Sequence, residues 1–305
     1  MSVHIIGAGA IGLLLSYYLH RAGQDVTLIT RTQEQAKEIN KKGIVFKRDL
    51  FKDQFNIKAI SFDECHQESI DCFVITVKSY QIEGILQRVG AKGMNFNSIL
   101  FLSNGMGHVS LMDSIPPSIK VAVGVVEHGA MKETSTVVKH TGVGRIRWAS
   151  VNDRTYDLDF FTKLNDPLFF PIVKEDNWMK MLEEKLIVNV CINPLTSLFQ
   201  VQNGDLIHNR YYTQLMGAVF NEAMTILRRN DKEKMWKLVI EVCEKTAQNY
   251  SSMCIDLKMG ARTEVESISG YLIEKALIET IPHPTISFIH HAIKGREFQT
   301  RGGGA

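Results

Sequence analysis

Residues 3–12 read VHIIGAGAIG and decide the fold of the first half of the chain. A short apolar run leads into a G-x-G-x-x-G motif made of Gly7, Ala8, Gly9, Ala10, Ile11 and Gly12. In this arrangement the first glycine allows a tight turn, the second lets a pyrophosphate approach the backbone, and the third lets a helix pack closely on the strand. Such a hexapeptide can also be an ordinary turn between packed elements. The apolar strand before it and the helical run after it favour a dinucleotide-binding site.

Working outward from the motif, short runs rich in valine and isoleucine alternate with helical patterns. The runs predict strands at residues 3–6, 25–29, 72–77, 99–102 and 121–126, with helices at 11–22 and 79–89 and added strands within 134–148. From Asp176 onward the apolar spacing is helical, at residues 178–199, 211–228, 232–250, 264–279 and 285–294. We therefore predict an α/β protein with an N-terminal Rossmann-type doubly wound sheet over residues 1–172 and a C-terminal all-helical domain over residues 173–305.

Composition argues against several classes of protein. The 305 residues carry a formal net charge of +2, too balanced for the basic surface of a nucleic-acid-binding protein. Five cysteines without a C-x-x-C pair fit a reducing cytoplasm and argue against a disulfide framework or a cysteine-based zinc site. No Lys or Arg precedes the N-terminal apolar run, and no run approaches the ~20 apolar residues that span a bilayer. No histidine shows metal-ligand spacing, and His290 and His291 are interpreted as surface residues. We expect a cytoplasmic protein with no nucleic acid, membrane or metal as partner.

The end of the second predicted strand bears on the choice of cofactor. This strand ends in Leu28-Ile29-Thr30-Arg31, without the Asp or Glu that usually binds the ribose 2′-hydroxyl of NAD. Arg31 could instead bind a 2′-phosphate, although a solvated charge that opens a loop is the plainer interpretation. We predict NADPH/NADP+ as the cofactor. Lys78 and Asn104 follow two later strands at the edge where such sheets bind ligands, and would suit anionic and polar groups.

One helical stretch carries a polar face. Lys185, Asn189 and Asn193 are spaced i, i+4, i+8 and share an arc of roughly 80°, while the residues between them are apolar. A cation and two amides on a mostly buried helix need polar partners, which could be a substrate carboxylate or neighbouring helices. Pro194 either bends this helix beside Asn193 or marks its end. The spacing alone leaves a binding site and a structural role equally supported.

A second polar cluster surrounds Glu264. Thr263 and Glu266 fit a capping box, which would begin a helix and place Glu264 in its first turn. The helix dipole there would favour an ionised carboxylate that accepts a hydrogen bond from a ligand hydroxyl. A first-turn glutamate is also common without any ligand, and the residues alone favour that interpretation.

Taken together, these segments resemble the ketopantoate reductase family over almost the whole chain. Besides the glycine motif, the resemblance rests on Thr76-Val77-Lys78, Ser103-Asn104-Gly105-Met106-Gly107, the string K-L-x-x-N-x-x-x-N-P-L-T at residues 185–196, Asn203-Gly204-Asp205-Leu206, and residues 251–270. Of these, the string at 185–196 is the most specific. Asp205 departs from the Glu that many relatives have there.

The resemblance implies NADPH-dependent reduction of 2-dehydropantoate, a small 2-oxo acid, to (R)-pantoate in pantothenate and coenzyme A biosynthesis. It implies that Lys185 is the general acid. Substrate-binding positions are then Asn104, Asn189, Asn193, Asn203, Ser252 and Glu264. Cofactor-binding positions are then Gly7–Gly12, Arg31, Lys78, Asn104, Ala130 and Glu264.

Two rival hypotheses remain open, together with the assembly. The enzyme could reduce a different small 2-oxo acid, or the fold could serve as a non-catalytic NADP(H) sensor. A sensor would bind the cofactor without any substrate-dependent oxidation of NADPH. A homodimer is one assembly compatible with the sequence.

Overall fold

The computed structural model describes residues 2–65, 70–153, 156–164 and 166–301. The chain divides into two compact units, one made of Met1–Ser103 and His108–Met181 and the other of Asn104–Gly107 and Leu182–Ala305. Among the described residues, none of the helices combines the length and apolar character needed to cross a membrane.

The first unit contains the strands and the first four helices. The strands are β1 (Ser2–Ile6), β2 (Asp25–Thr30), β3 (Ile44–Arg48), β4 (Phe51–Phe55), β5 (Lys58–Ser61), β6 (Ile70–Ile75), β7 (Phe96–Phe101), β8 (Lys120–Val126), β9 (Gly129–Thr134), β10 (Val137–Gly142), β11 (Ile146–Ser150) and β12 (Ile172–Lys174). The helices are α1 (Ala10–Arg21), α2 (Gln33–Lys42), α3 (Ile82–Ala91) and α4 (Asp159–Leu164), with 3₁₀ turns at Ser79–Gln81 and Met112–Ser114.

The larger sheet has the strand order β12-β11-β8-β7-β6-β1-β2-β5. The six strands from β8 to β5 are parallel neighbours, and β11 joins β8 in antiparallel orientation. When these six strands are renumbered 1 to 6 in chain order and read from β5 to β8, their order is 3-2-1-4-5-6. This is the order of a dinucleotide-binding sheet. The order reverses beside β1, which places the glycine motif at the point where such sheets bind ligands.

A second sheet, with the order β4-β3-β10-β9, packs on the other side of α1. The Tyr17 ring of α1 stacks on Phe46 of β3, with ring centroids 3.7 Å apart and planes 5° from parallel. This position explains why α1 is apolar around most of its circumference, since it is covered from both sides.

Helices form the second unit, with only the first turn of α5 belonging to the first unit. They are α5 (Trp178–Phe199), α6 (Asp205–His208), α7 (Arg210–Ile226), α8 (Lys232–Lys245), α9 (Ser252–Lys258), α10 (Tyr271–Glu279) and α11 (Pro284–Thr300). A π-helical turn, Glu266–Gly270, leads into α10. Helix α7 packs against α6, α10 and α11.

The predicted fold class is confirmed, because a doubly wound, mostly parallel sheet precedes a helical region. The second sheet was only partly anticipated, since β3 and β4 carried no strand prediction, and β5 of the larger sheet was likewise not predicted. Strand β12 pairs with β11 from Ile146↔Ile172 to Trp148↔Lys174 and so crosses the boundary predicted between residues 172 and 173. The division between the compact units falls later, inside α5.

Candidate functional site

The glycine motif of the first unit is held by contacts that admit only glycine at two positions. Gly7 has φ +118°, and a Cβ added there would lie 2.8 Å from Cγ1 of Val77. A Cβ on Gly12 would lie 1.8 Å from the carbonyl oxygen of Gly7. The Thr76 hydroxyl donates to that same carbonyl at 2.9 Å. The structure therefore contains both features that the motif requires, the tight turn at Gly7 and the close packing of α1 on β1 at Gly12.

Gly9 differs from these two glycines, because a Cβ there would meet no atom of the described residues within 4 Å. The protein itself therefore does not require glycine at this position. Gly9 is the N-cap of α1, it provides no side-chain cap, and the first turn of α1 carries no acidic residue. An anion approaching the free N–H groups explains the glycine, and a dinucleotide pyrophosphate fits this cradle.

The remaining predicted cofactor residues of the first unit lie on separate elements. Arg31 follows β2 directly and is exposed, and Lys78 is half-buried immediately before the 3₁₀ turn. Ala130 lies on β9 opposite His140 of β10. Two residues beyond Ala130, the Lys132 ammonium donates to the carbonyl of Ala8 at 2.9 Å. Lys132 was not predicted, because only the long-range pairing of the second sheet brings it to the glycine motif.

The predicted polar face of the second unit lies on α5. Lys185 is half-buried and Asn189 and Asn193 are buried, with 6% and 9% of their surface exposed. Within the described part of the chain, Nδ2 of Asn189 is buried and has no hydrogen-bond partner. A buried amide donor without a partner is costly, so this atom points to a ligand that accepts a hydrogen bond.

Helix α5 continues through Pro194 to Phe199, so the alternative that it ends at the proline is wrong. Proline has no N–H to donate to the carbonyl four residues earlier, which leaves one helical hydrogen bond unmade beside Asn193. The next turn is closed by side chains, with the Ser197 hydroxyl donating to the Asn193 carbonyl at 2.6 Å. The Thr196 hydroxyl donates to the Ile192 carbonyl at 2.8 Å.

Two more predicted substrate residues have different surroundings. Asn203 is buried, and its Nδ2 donates to the Thr246 hydroxyl at 2.8 Å. Its Oδ1 has no partner among the described residues. Ser252 is exposed at the first position of α9, whereas the neighbouring Ser251 is buried and caps that helix. Asn203 therefore offers an unpaired acceptor, and Ser252 a hydroxyl open to solvent.

Asn104 and Glu264 meet inside the second unit. Nδ2 of Asn104 donates to Oε2 of Glu264 at 3.0 Å, and Glu264 is only 5% exposed. The loop carrying Asn104 is fixed by the Met106 N–H, which donates to the Ser267 carbonyl at 2.8 Å. Gly105 has φ +73°, and a Cβ there would lie 2.4 Å from the same carbonyl. The structure thus joins two residues that the sequence placed in separate clusters.

The capping box predicted at Thr263 and Glu266 is not formed. The Thr263 hydroxyl accepts from the Val265 N–H at 3.2 Å, but the Thr263 N–H donates to Glu297 of α11 at 2.6 Å. Glu266 instead forms an ion pair with Lys294 at 2.7 Å. The buried carboxylate of Glu297 thus takes the place that the capping box would give to Glu266. The helix begins in the π-helical turn that follows Glu264.

A charged cluster beside Lys185 was not anticipated. Arg229 binds Asp231 at 2.6 Å and contacts Glu183 at 3.4 Å and Glu184 at 3.7 Å. The Arg229 side chain is only 10% exposed. Its hydrogen bond holds the pKa of Asp231 below the ordinary value, whereas burial raises the pKa of Glu183. The turn of α5 next to Lys185 is thereby anchored to residues 229–231.

The interpretation of His290 as a surface residue is wrong. His290 is 8% exposed, and its Nδ1 lies 2.9 Å from the Ser269 hydroxyl. His128 and His140 also contact each other, Nδ1 to Nε2, at 3.1 Å. In the described ranges, no three His, Cys, Asp or Glu residues are grouped as metal ligands would be.

Comparison with known proteins covers both units. A family model described as "Ketopantoate reductase PanE/ApbA" matches residues 3–153, and one described as "Ketopantoate reductase PanE/ApbA C terminal" matches residues 177–297. The 2-dehydropantoate 2-reductase of Bacillus subtilis (strain 168) is 39% identical over 304 residues, covering 98% of this chain and 99% of the relative. That of Listeria innocua is 35% identical over 303 residues, with 97% of each chain covered.

Solved structures extend the comparison to three dimensions. The crystal structure of the probable 2-dehydropantoate 2-reductase panE from Bacillus subtilis has a TM-score of 0.85 at 38% identity, covering 97% of this chain and 100% of that one. A structure of D-mandelate dehydrogenase with NADH and anilino(oxo)acetate has a TM-score of 0.89 at 22% identity, with 98% and 99% covered. At that identity the second likeness concerns the fold alone. Because the family models match most of the chain and the relatives match nearly all of it, this protein belongs to the ketopantoate reductase family.

Proposed function

We propose that this chain reduces 2-dehydropantoate to (R)-pantoate with NADPH, a step in pantothenate and coenzyme A biosynthesis. Within the structure, the observation that carries the proposal is the polar face of α5, where Lys185 is followed by the buried Asn189 and Asn193. Nδ2 of Asn189 has no partner within the described residues and suits a keto acid, which presents only acceptor oxygens there.

Lys185 is assigned the role of general acid. Bound NADPH supplies a hydride to the ketone carbon of the substrate. As the C=O double bond is reduced, the carbonyl oxygen takes a proton from the Lys185 ammonium, and the resulting amine regains a proton from water. A positioned acid of this kind contributes about 10²- to 10⁴-fold to the rate.

The neighbouring side chains are assigned to orient the substrate. The amides of Asn189, Asn193 and Asn203 and the hydroxyl of Ser252 hold its carbonyl and carboxylate. Glu264, which Asn104 holds by a 3.0 Å hydrogen bond, accepts from the hydroxyl group of 2-dehydropantoate. A buried carboxylate left without that hydroxyl would disfavour keto acids that lack it.

The cofactor residues are assigned to the glycine motif and the loops around it. Gly7–Gly12 and the start of α1 receive the pyrophosphate, as the geometry of Gly9 supports. Arg31 binds the 2′-phosphate, whereas Lys78, Ala130, Asn104 and Glu264 are assigned to the rest of the dinucleotide. Arg31 is thereby the residue that distinguishes NADPH from NADH.

The test is NADPH oxidation at 340 nm with purified protein and 2-dehydropantoate, compared with 2-oxoisovalerate, which lacks the hydroxyl. We expect a much higher kcat/KM for 2-dehydropantoate. An equal or reversed preference between the two keto acids would point to a different 2-oxo acid as the substrate. Binding of NADPH without its oxidation would point to a sensor.

Variants of one helix test the assignment of Lys185. Lys185→Ala and Lys185→Arg should each lower kcat by about 10² or more, because arginine keeps the charge but does not release its proton. Lys180→Ala, on the exposed part of the same helix, is the control. Normal kcat in either Lys185 variant would overturn the general-acid role.

We further propose that the protein works in the cytoplasm as a homodimer. The five cysteines are free and buried, as suits a reducing compartment. Apolar side chains of α10 and α11 are exposed, with Leu277 at 65%, Ile278 at 78% and Phe288 at 69%. Exposed apolar patches of this kind often mark protein interfaces. Analytical ultracentrifugation should show a dimer that Ile278→Glu dissociates, and a monomeric native protein would refute the assembly.

A further inference from the structure

Lys132 of β9 reaches the glycine motif of the first unit from the edge of the second sheet. Its Nζ lies 2.9 Å from the carbonyl oxygen of Ala8, the residue between the first two glycines. Nε2 of Gln35, in the first turn of α2, donates to the same carbonyl at 3.2 Å. Two elements that are distant in sequence thus converge on the loop just beyond the carboxyl end of β1.

Lys132 also lies close to the cation that follows β2. Although Lys132 is exposed as a residue, desolvation of its ammonium beside the Ala8 loop and the neighbouring charge of Arg31 both lower its pKa, while Glu38 acts in the opposite direction. Glu38 is shared, because its carboxylate forms an ion pair with Lys42 at 2.7 Å and accepts from the Ser135 hydroxyl. The carboxylate that acts on Lys132 therefore already has two other partners, and the charge of Arg31 still opposes that of Lys132. A bound anion would relieve their mutual repulsion.

We propose that Lys132 and Arg31 together form the binding site for the 2′-phosphate of the cofactor, so that Lys132 determines the preference for NADPH over NADH. The inference rests on the proposed use of a nicotinamide dinucleotide. In sheets with this strand order, the group at the end of the second strand contacts the ribose 2′ position. Arg31 occupies that place, and the Lys132 ammonium is hydrogen-bonded to the Ala8 carbonyl within the influence of the Arg31 charge.

A purely structural role makes a different prediction. If Lys132 only fixed the glycine loop, or bound the pyrophosphate, its loss would weaken both dinucleotides, since they share that loop and that pyrophosphate. A 2′-phosphate contact affects only the phosphorylated cofactor. The ratio of the two affinities therefore separates these roles.

The experiment is isothermal titration of the native protein and of Lys132→Gln with NADP+ and with NAD+, without keto acid. Loss of a charge-assisted hydrogen bond should raise the Kd for NADP+ roughly 10- to 100-fold. The Kd for NAD+ should change less than about twofold, given that no charged contact to it is lost. Adenosine 2′-monophosphate should lose affinity in parallel with NADP+, whereas the 5′-monophosphate should not. Lys132→Arg should restore much of the preference.

The control is Lys52→Gln, on the exposed β4 at the opposite edge of the same sheet, which should alter neither affinity. Arg31→Gln should weaken NADP+ selectively, and its combination with Lys132→Gln should be non-additive, as expected for two residues that bind one group. Equal weakening of NADP+ and NAD+ by Lys132→Gln, or no change in either, would overturn the assignment of Lys132. If the native protein bound neither dinucleotide, the proposed function itself would fail.

Discussion

Nδ2 of Asn104 donates a hydrogen bond to Oε2 of Glu264 at 3.0 Å, although the two residues are 160 positions apart in the sequence. The loop of Asn104 belongs to the same compact unit as Glu264, held there by the hydrogen bond from Met106 to Ser267. A carboxyl group that is 5% exposed is costly to bury unless such donors satisfy its oxygens. Asn104 therefore acts on Glu264 as a positioning residue, in addition to any contact of its own with a ligand.

Replacing this amide by a carboxylate tests that relationship. Asn104→Asp should place a second negative charge about 3 Å from Glu264 and raise the pKa of the pair, whereas Asn104→Ala only removes the donor. We expect both variants to lose about 1–3 kcal/mol of stability. Only Asn104→Asp should also recover kcat/KM as the pH falls from 8 to 6. Identical pH profiles for the two variants would contradict direct electrostatic contact.

The two glycines of one motif should respond differently to the same substitution. Gly12→Ala forces a Cβ to within 1.8 Å of the Gly7 carbonyl, so it should destabilise the first unit by about 1–3 kcal/mol or more. Gly9→Ala meets no described atom and should leave the melting temperature of the cofactor-free protein nearly unchanged. It should nevertheless raise the Kd for NADPH at least tenfold. A Gly9→Ala variant with normal NADPH affinity would show that the pyrophosphate does not approach there.

Local sequence patterns predicted much of the larger sheet and of α5, because strand–helix alternation and helical spacing depend on residues that are close together in the sequence. The same patterns did not predict the contacts that depend on residues far apart in the sequence. Strand β3 pairs locally with β4, but the two join the rest of the second sheet only because Val45 of β3 pairs with the distant Val137 of β10. The N–H of Thr263 donates to the carboxylate of Glu297 instead of that of the nearby Glu266. Lys132 could not be linked to Ala8 before that second sheet was known.

Arg229 and the adjacent Arg228 offer a matched comparison of buried and exposed ion pairs. Arg229 is 10% exposed and contacts three carboxylates, so Arg229→Ala should cost about 3–5 kcal/mol by leaving buried charges unpaired. Arg228 is 74% exposed and pairs with Glu279 at 3.0 Å, so Arg228→Ala should cost less than about 1 kcal/mol. Urea unfolding of both variants measures the difference. Equal costs would indicate that Arg229 is not needed to compensate the buried carboxylates beside Lys185.

His108 should make the stability of the first unit depend on pH. It is fully buried, its ring stacks on Phe101 with centroids 5.5 Å apart, and neither ring nitrogen has a partner in the described part of the chain. Burial lowers the pKa of His108 to about 4. The folded state therefore binds fewer protons than the unfolded state, in which a histidine has a pKa of about 6.5. The contribution of His108 to stability is complete above that value and is lost as the pH falls towards 4.

His108→Leu removes this titration and a buried unpaired donor. The variant should be neutral or slightly stabilising at pH 8, because an apolar side chain of similar size leaves no group unsatisfied. At pH 5 it should gain about 2 kcal/mol more, relative to the native protein, than at pH 8. Urea unfolding at both pH values measures the difference, with His291→Gln on the exposed face of α11 as the control. A His108→Leu variant whose gain is the same at both pH values would mean that the folded protein protonates His108 as readily as the unfolded chain does.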